Sequence, residues 1–152
     1  MPRLLVVHHT VSPALDEVVE AGLAGAQHPE LVGVEVVTAA ALTASAAEVL
    51  AADGYLLVSP ANLGYMAGAM KHFFDTIYYP CLRETVGRPY AAIVHGNNDT
   101  TGAVRSIERI VTGLGWSPVA PALEVTGAPD RATREAASEV AATLAAVILG
   151  EV

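Results

Sequence analysis

Short apolar runs alternate along the chain with longer stretches whose apolar residues recur every three or four positions, which predicts strands each followed by a helix. Five runs read as strands: RLLVVHH (3–9), GVEVVTA (33–39), GYLLVSP (54–60), YAAIVHG (90–96) and VAPALEVTG (119–127). The third and fourth are almost uninterrupted apolar sequence, as expected of central parallel strands covered on both faces. The fifth contains Pro121, which cannot donate to a ladder and suits an edge or a bulge.

The helices have legible ends. Ser12 precedes Pro13, a capping side chain followed by the residue best tolerated in a first turn, and Asp16 and Glu17 lie at the positive end of the dipole. Leu15, Val18, Val19 and Leu23 then share a face. Ser45 and Glu48 form a Ser-x-x-Glu capping box. A third helix is predicted over 65–78, with Met66, Met70, Phe73, Phe74 and Ile77 as a core stripe, a fourth over 101–114 with Val104, Ile107, Val111 and Leu114, and a last over 130–149. Right-handed crossovers between five alternating strands predict an α/β fold, a three-layer doubly wound parallel sheet.

In such sheets ligands bind at the carboxyl ends of the strands. Three loops there carry the candidate chemistry. The first, HTVSPAL, offers the hydroxyls of Thr10 and Ser12 and, at Ala14 and Leu15, a helix N-terminus that favours an anion such as a phosphate; Ser12 as a simple cap accounts for it equally well. The second, SPANLGY, places Ser59, Pro60, Ala61, Asn62, Leu63, Gly64 and Tyr65 together. Asn62 has both donor and acceptor, and Tyr65 or Leu63 has the shape to lie on a flat ring, although Asn62 also suits a helix cap. The third, HGNNDTTG, has Gly96, Asn97, Asn98, Asp99 and Gly102. Turn chemistry explains each residue singly, but two adjacent asparagines are more polar capacity than one turn requires.

Composition narrows the partners. A chain of 152 residues fits one domain spanning 1–152, with 53% apolar residues and few aromatics. Sixteen acidic against eight basic residues, a net charge of −8, disfavour a nucleic-acid partner. No apolar stretch approaches a membrane span or a signal peptide, and the single Cys81 cannot form an internal disulfide, so a cytoplasmic location is expected.

The element order and the stretch SPANLGYMAGAMKHFFD resemble the flavodoxin-like superfamily, and in particular the NADPH-dependent FMN reductases, in which a Ser/Thr-Pro turn with a glycine precedes a helix carrying a small residue, a lysine, a phenylalanine and an aspartate. Ser59, Pro60, Asn62, Gly64, Gly68, Lys71, Phe74 and Asp75 carry the likeness. It implies a 2-1-3-4-5 strand order and FMN as ligand, its phosphate in the first loop and its ring between the second and third. It further implies NAD(P)H as co-substrate, a small-molecule electron acceptor such as a quinone or free flavin, and a homodimer through the aromatic HFFDTIYYPCL segment. The first loop departs from the flavodoxin pattern: Pro13 replaces a glycine and Leu15 a hydroxyl. Each lost hydrogen bond to a charged group costs about 1.5–3 kcal/mol, so phosphate affinity falls by about one to four decades without compensation.

His9 and His95 end the first and fourth strands and are candidate proton donors beside a flavin; with His8 they lack metal-ligand spacing, and no metal site is expected. Cys81 has no neighbouring base and reads as structural. The hydrolase elbow, the P-loop and the dinucleotide fingerprint do not occur. A phosphoacceptor receiver domain needs acidic residues after its first strand, where this chain has His-His. Three function classes remain: an FMN-dependent NAD(P)H reductase, an electron carrier whose acidic surface docks basic redox partners, and a binding protein that has lost FMN.

Overall fold

The computed structural model describes residues 1–151. Its elements run β1 (Arg3–His8), α1 (Pro13–Ala26), β2 (Glu35–Ala40), α2 (Ala46–Ala51), β3 (Gly54–Asn62), β4 (Tyr65–Met66), α3 (Gly68–Cys81), β5 (Pro89–Gly96), α4 (Thr101–Leu114), β6 (Ser117–Pro118), β7 (Leu123–Thr126) and α5 (Arg131–Leu149). The parallel sheet has the order β2-β1-β3-β5, with β6 and β7 both pairing with β5 on its far side. Counted as five positions, this is the 2-1-3-4-5 order expected.

The side-chain alternation of the strands divides the interior in two. Leu5, Val7, Tyr55, Leu57, Ala92 and Val94 face α2, α3 and α4, while Leu4, Val6, Leu56, Val58, Ala91 and Ile93 face α1 and α5. Caps predicted from the sequence are formed. Ser12 Oγ accepts from the Leu15 amide at 3.2 Å, and both arms of the Ser45–Glu48 box are present. Asp130 caps α5 through the Thr133 amide at 2.8 Å.

Several boundaries differ, with β2 starting at Glu35 and β3 running on to Asn62. The first strand stops at His8. The third helix spans Gly68–Cys81, not 65–78, because Tyr65 and Met66 are drawn into a hairpin with β3, while Pro80, one residue from the helix end, donates no i→i−4 hydrogen bond. The fifth strand is split into β6 and β7 around Pro121. Among the described residues no helix is long and apolar enough to cross a membrane.

Candidate functional site

At the carboxyl end of the sheet, β3 continues to Asn62, reverses through Leu63 and Gly64, and returns as β4, with Asn62 opposite Tyr65 and Ala61 opposite Met66. Both turn residues have positive φ, 52° at Leu63 and 74° at Gly64, the signature of a two-residue hairpin loop. Glycine adopts this conformation freely; leucine does not. Leu63 is also fully exposed.

The hairpin is held at three points. Ser59 Oγ, buried at the strand end, accepts from the Ala67 amide at 3.1 Å and donates to the Pro60 carbonyl at 2.9 Å, which orients the entry into α3. Ser106 Oγ on α4 accepts from the Met66 amide at 3.2 Å. Gly102, in the first turn of α4, lies against the backbone of Gly64. The hydroxyl of Ser59 is therefore committed within the fold, and the side chain missed in the sequence is Ser106, whose mid-helix position carries no turn or cap signal.

Between the hairpin and the β5–α4 turn lies a cleft of about 380 Å³ lined by Ala61, Leu63, Gly64, Gly96, Asn97, Asn98 and Asp99. The second and third predicted loops thus meet. Asn62 and Tyr65 are exposed on the hairpin beside the cleft, Pro60 is buried beneath it, and Gly102 supports its wall. Asp99 Oδ1 accepts from the Thr101 amide at 2.9 Å, and this bond holds its carboxyl below the usual carboxylate value. Thr100 Oγ1 donates to Glu124 Oε1 at 2.8 Å, tying the same turn to β7.

Thr10, Ser12, Ala14 and Leu15 do not line this cleft. Thr10 Oγ1 is 2.8 Å from His8 Nδ1, and Ser12 is half-buried as the α1 cap. Leu15 sends its side chain into the core, leaving only its amide in the loop, already bonded to Ser12. Among the described residues, the amides of Thr10, Val11, Ser12 and Ala14 in this loop, and of Asn97, Asn98 and Asp99 in the third, donate to no protein group. His95 is buried with Nε2 2.7 Å from the Gly127 carbonyl, so that nitrogen is a donor engaged in the fold. His9 is half-buried, and its ring makes no hydrogen bond among the described residues. His8 is held below its ordinary pKa, first by burial and then by the adjacent His9. Among the described residues no cluster of His, Cys, Asp and Glu is placed to hold a metal. Cys81 is buried, and burial pushes its thiol pKa up.

The sequence model of the NADPH-dependent FMN reductases matches residues 11–130, most of the chain. The chain belongs to the NADPH-dependent FMN reductase family. This FMN reductase family member is accordingly a flavin-binding protein of oxidoreductase type with a flavodoxin-like fold. Solved structures share the fold at low identity. An archaeal flavodoxin superposes with a TM-score of 0.82 at 18% identity, over 97% of this chain and 99% of that one. A flavodoxin, WrbA-like protein from Agrobacterium tumefaciens gives 0.80 at 16% identity with both chains fully covered. The flavodiiron protein from Giardia intestinalis gives 0.82 at 16% identity, over 98% of this chain but 36% of that one. No curated protein sequence matches the chain.

The donor set of this FMN reductase family member fits FMN. The free amides at the start of α1 and the second proton-bearing capacity of the Ser12 hydroxyl suit a phosphate monoester. The free amides of the third loop, with the Asn97 and Asn98 side chains, suit the carbonyl edge of a flavin ring.

Proposed function

We propose that the protein is an FMN-dependent NAD(P)H reductase that passes electrons to a small acceptor such as a quinone or a free flavin. The observation that carries this reading is the cleft between the hairpin and the Asn97–Asn98–Asp99 turn, whose backbone amides meet no protein acceptor. FMN, when bound, supplies the hydride-accepting and electron-releasing chemistry.

The chain's own contribution is positioning. Thr10, Ser12 and the α1 amides anchor the phosphate; Asn97, Asn98 and the backbone up to Asp99 read the ring edge; Leu63 and Tyr65 cover one face, leaving the other for nicotinamide and acceptor in turn. Lysine and arginine are absent from the phosphate loop, so neutral donors and the helix dipole carry that contact. With His95 Nε2 engaged by Gly127, His9 is the remaining proton-donor candidate.

The test is titration of the flavin-free protein with FMN, followed by steady-state oxidation of NADH and NADPH with menadione. Saturable FMN binding and parallel double-reciprocal plots support the reading, because donor and acceptor would share one face. Intersecting plots oppose it. The net charge of −8 favours an electron carrier as the second reading, selected if FMN binds and NAD(P)H is not oxidised. Pro13 and the inward Leu15 favour a cofactor-free binding protein, selected if FMN does not bind at millimolar excess.

A further inference from the structure

Where the fifth strand is interrupted, the chain leaves β5 after Pro118 and rejoins it at Leu123, opening a pocket of about 330 Å³ against α4. Its walls are Ala92, Val119, Ala120 and Ala122, stiffened by Pro118 and Pro121, and its volume lies within the range of about 300–1,000 Å³ typical of small-molecule sites. Two polar side chains reach it, Tyr90 and Glu108. Tyr90 is 6% exposed, yet its hydroxyl has no hydrogen-bond partner among the described residues. Glu108, the one charged residue lining the pocket, makes no ion pair among the described residues. Because no buried side-chain polar atom of the described residues lacks a partner, the unpaired Tyr90 hydroxyl is open to the pocket, where a ligand donor can reach it.

We propose that this pocket is a second ligand site, for a small aryl or alkyl amine whose ammonium group donates to both Tyr90 Oη and the Glu108 carboxylate while its apolar body lies against the prolines and alanines. An ammonium group has three donors and no acceptor, matching two acceptors at the mouth of an apolar pocket. A carboxylic acid would face Glu108 with like charge. Burial, and then the charge of Glu108, raise the Tyr90 pKa, so the phenol stays neutral. The pocket lies against Tyr90 and Ala92, six and four residues before Gly96 on β5, and so about 13–20 Å from the flavin cleft.

Trp116, the only tryptophan, has its ring centroid 6.4 Å from that of Tyr90 and supplies the readout. The full-length protein is titrated with phenethylamine, with phenethyl alcohol and phenylacetate as neutral and anionic counterparts, following Trp116 fluorescence and melting temperature. The expected result is saturation by the amine in the millimolar range or below, with phenylacetate at least about tenfold weaker. Glu108→Gln should weaken the amine about tenfold and Tyr90→Phe severalfold, with FMN affinity unchanged in both. Both variants keep the parent's shape, and their melting curves verify folding. No saturation by the amine, equal binding of amine and acid, or amine affinity unaltered in folded Glu108→Gln would each overturn the proposal.

Discussion

Gly102 lies so close to the backbone of Gly64 that a β-carbon on Gly102 would overlap the Gly64 carbonyl. The first turn of α4 is thereby the bed on which the β3–β4 hairpin rests, and the Ser106–Met66 hydrogen bond fastens its far end. Cleft geometry depends on that contact.

Gly102→Ala should therefore run against the usual benefit of alanine in a helix. Overpacking against backbone costs about 1–3 kcal/mol, more than the gain of about 0.5–1 kcal/mol from helix propensity. The expected outcome is a lower melting temperature and weaker FMN binding, read by calorimetry and flavin fluorescence. Equal stability and affinity would mean that the hairpin yields without consequence for the cleft.

Leu63 should show the opposite balance. A β-carbon in the left-handed region costs about 1–2 kcal/mol, and asparagine is among the residues that tolerate it best. Leu63→Asn is expected to raise the urea midpoint by an amount equivalent to about 1 kcal/mol and to weaken FMN, since the exposed leucine is the apolar cover for the ring. A variant that is more stable and binds FMN as well as the parent would remove Leu63 from the site.

Arg88 provides a contrast at the opposite end of the sheet. Its Nη1 lies within hydrogen-bond distance of the carbonyls of Val49, Leu50 and Ala52, which end α2, and of Tyr55 Oη. Arg88→Met should cost about 2–4 kcal/mol in denaturant unfolding, by leaving those carbonyls without their charged donor, while FMN affinity of the folded fraction stays put. A change in flavin affinity at constant fold would show coupling between the two ends.

Acid should weaken the fold from the histidine range downward. His8 has a folded pKa below its ordinary value of 6.5, so the unfolded chain takes up the proton first; the stabilisation is full above that value and is lost as pH falls through the folded pKa. Asp130, held low by the Thr133 amide, adds a second loss below the ordinary carboxylate value of 3.8. Urea midpoints measured from neutral to acid pH should decline across the first window, and His8→Asn should flatten that decline. An unchanged slope in the variant would assign it elsewhere.

Element order, both capped N-termini and the central strands were legible because each rests on a local rule: period, Ser-Pro, Ser-x-x-Glu, an unbroken apolar run. The hairpin was not, because its turn puts leucine where asparagine or glycine normally announces one, and the helical spacing of Met66, Met70 and Phe73 continued backward through it. The meeting of the second and third loops followed from strand order. What could not be read was the holding of that meeting by Ser106 and Gly102, since it joins residues about forty apart by contacts that leave no periodic trace. The aromatic HFFDTIYYPCL segment is also less available for dimer contacts than its composition suggested: Phe73, Phe74, Ile77 and Cys81 are core, and Tyr79 is its most exposed ring.

The interruption of the fifth strand has a consequence for how molecules of this protein meet one another. A sheet's outer strand is normally a row of free amides and carbonyls onto which another chain can zip. Here that row is cut into two residues and four, with Pro118 and Pro121 supplying no amide at all. Strand-by-strand polymerisation is blocked on that side of the sheet, leaving β2 as the margin where crowded molecules would begin to aggregate.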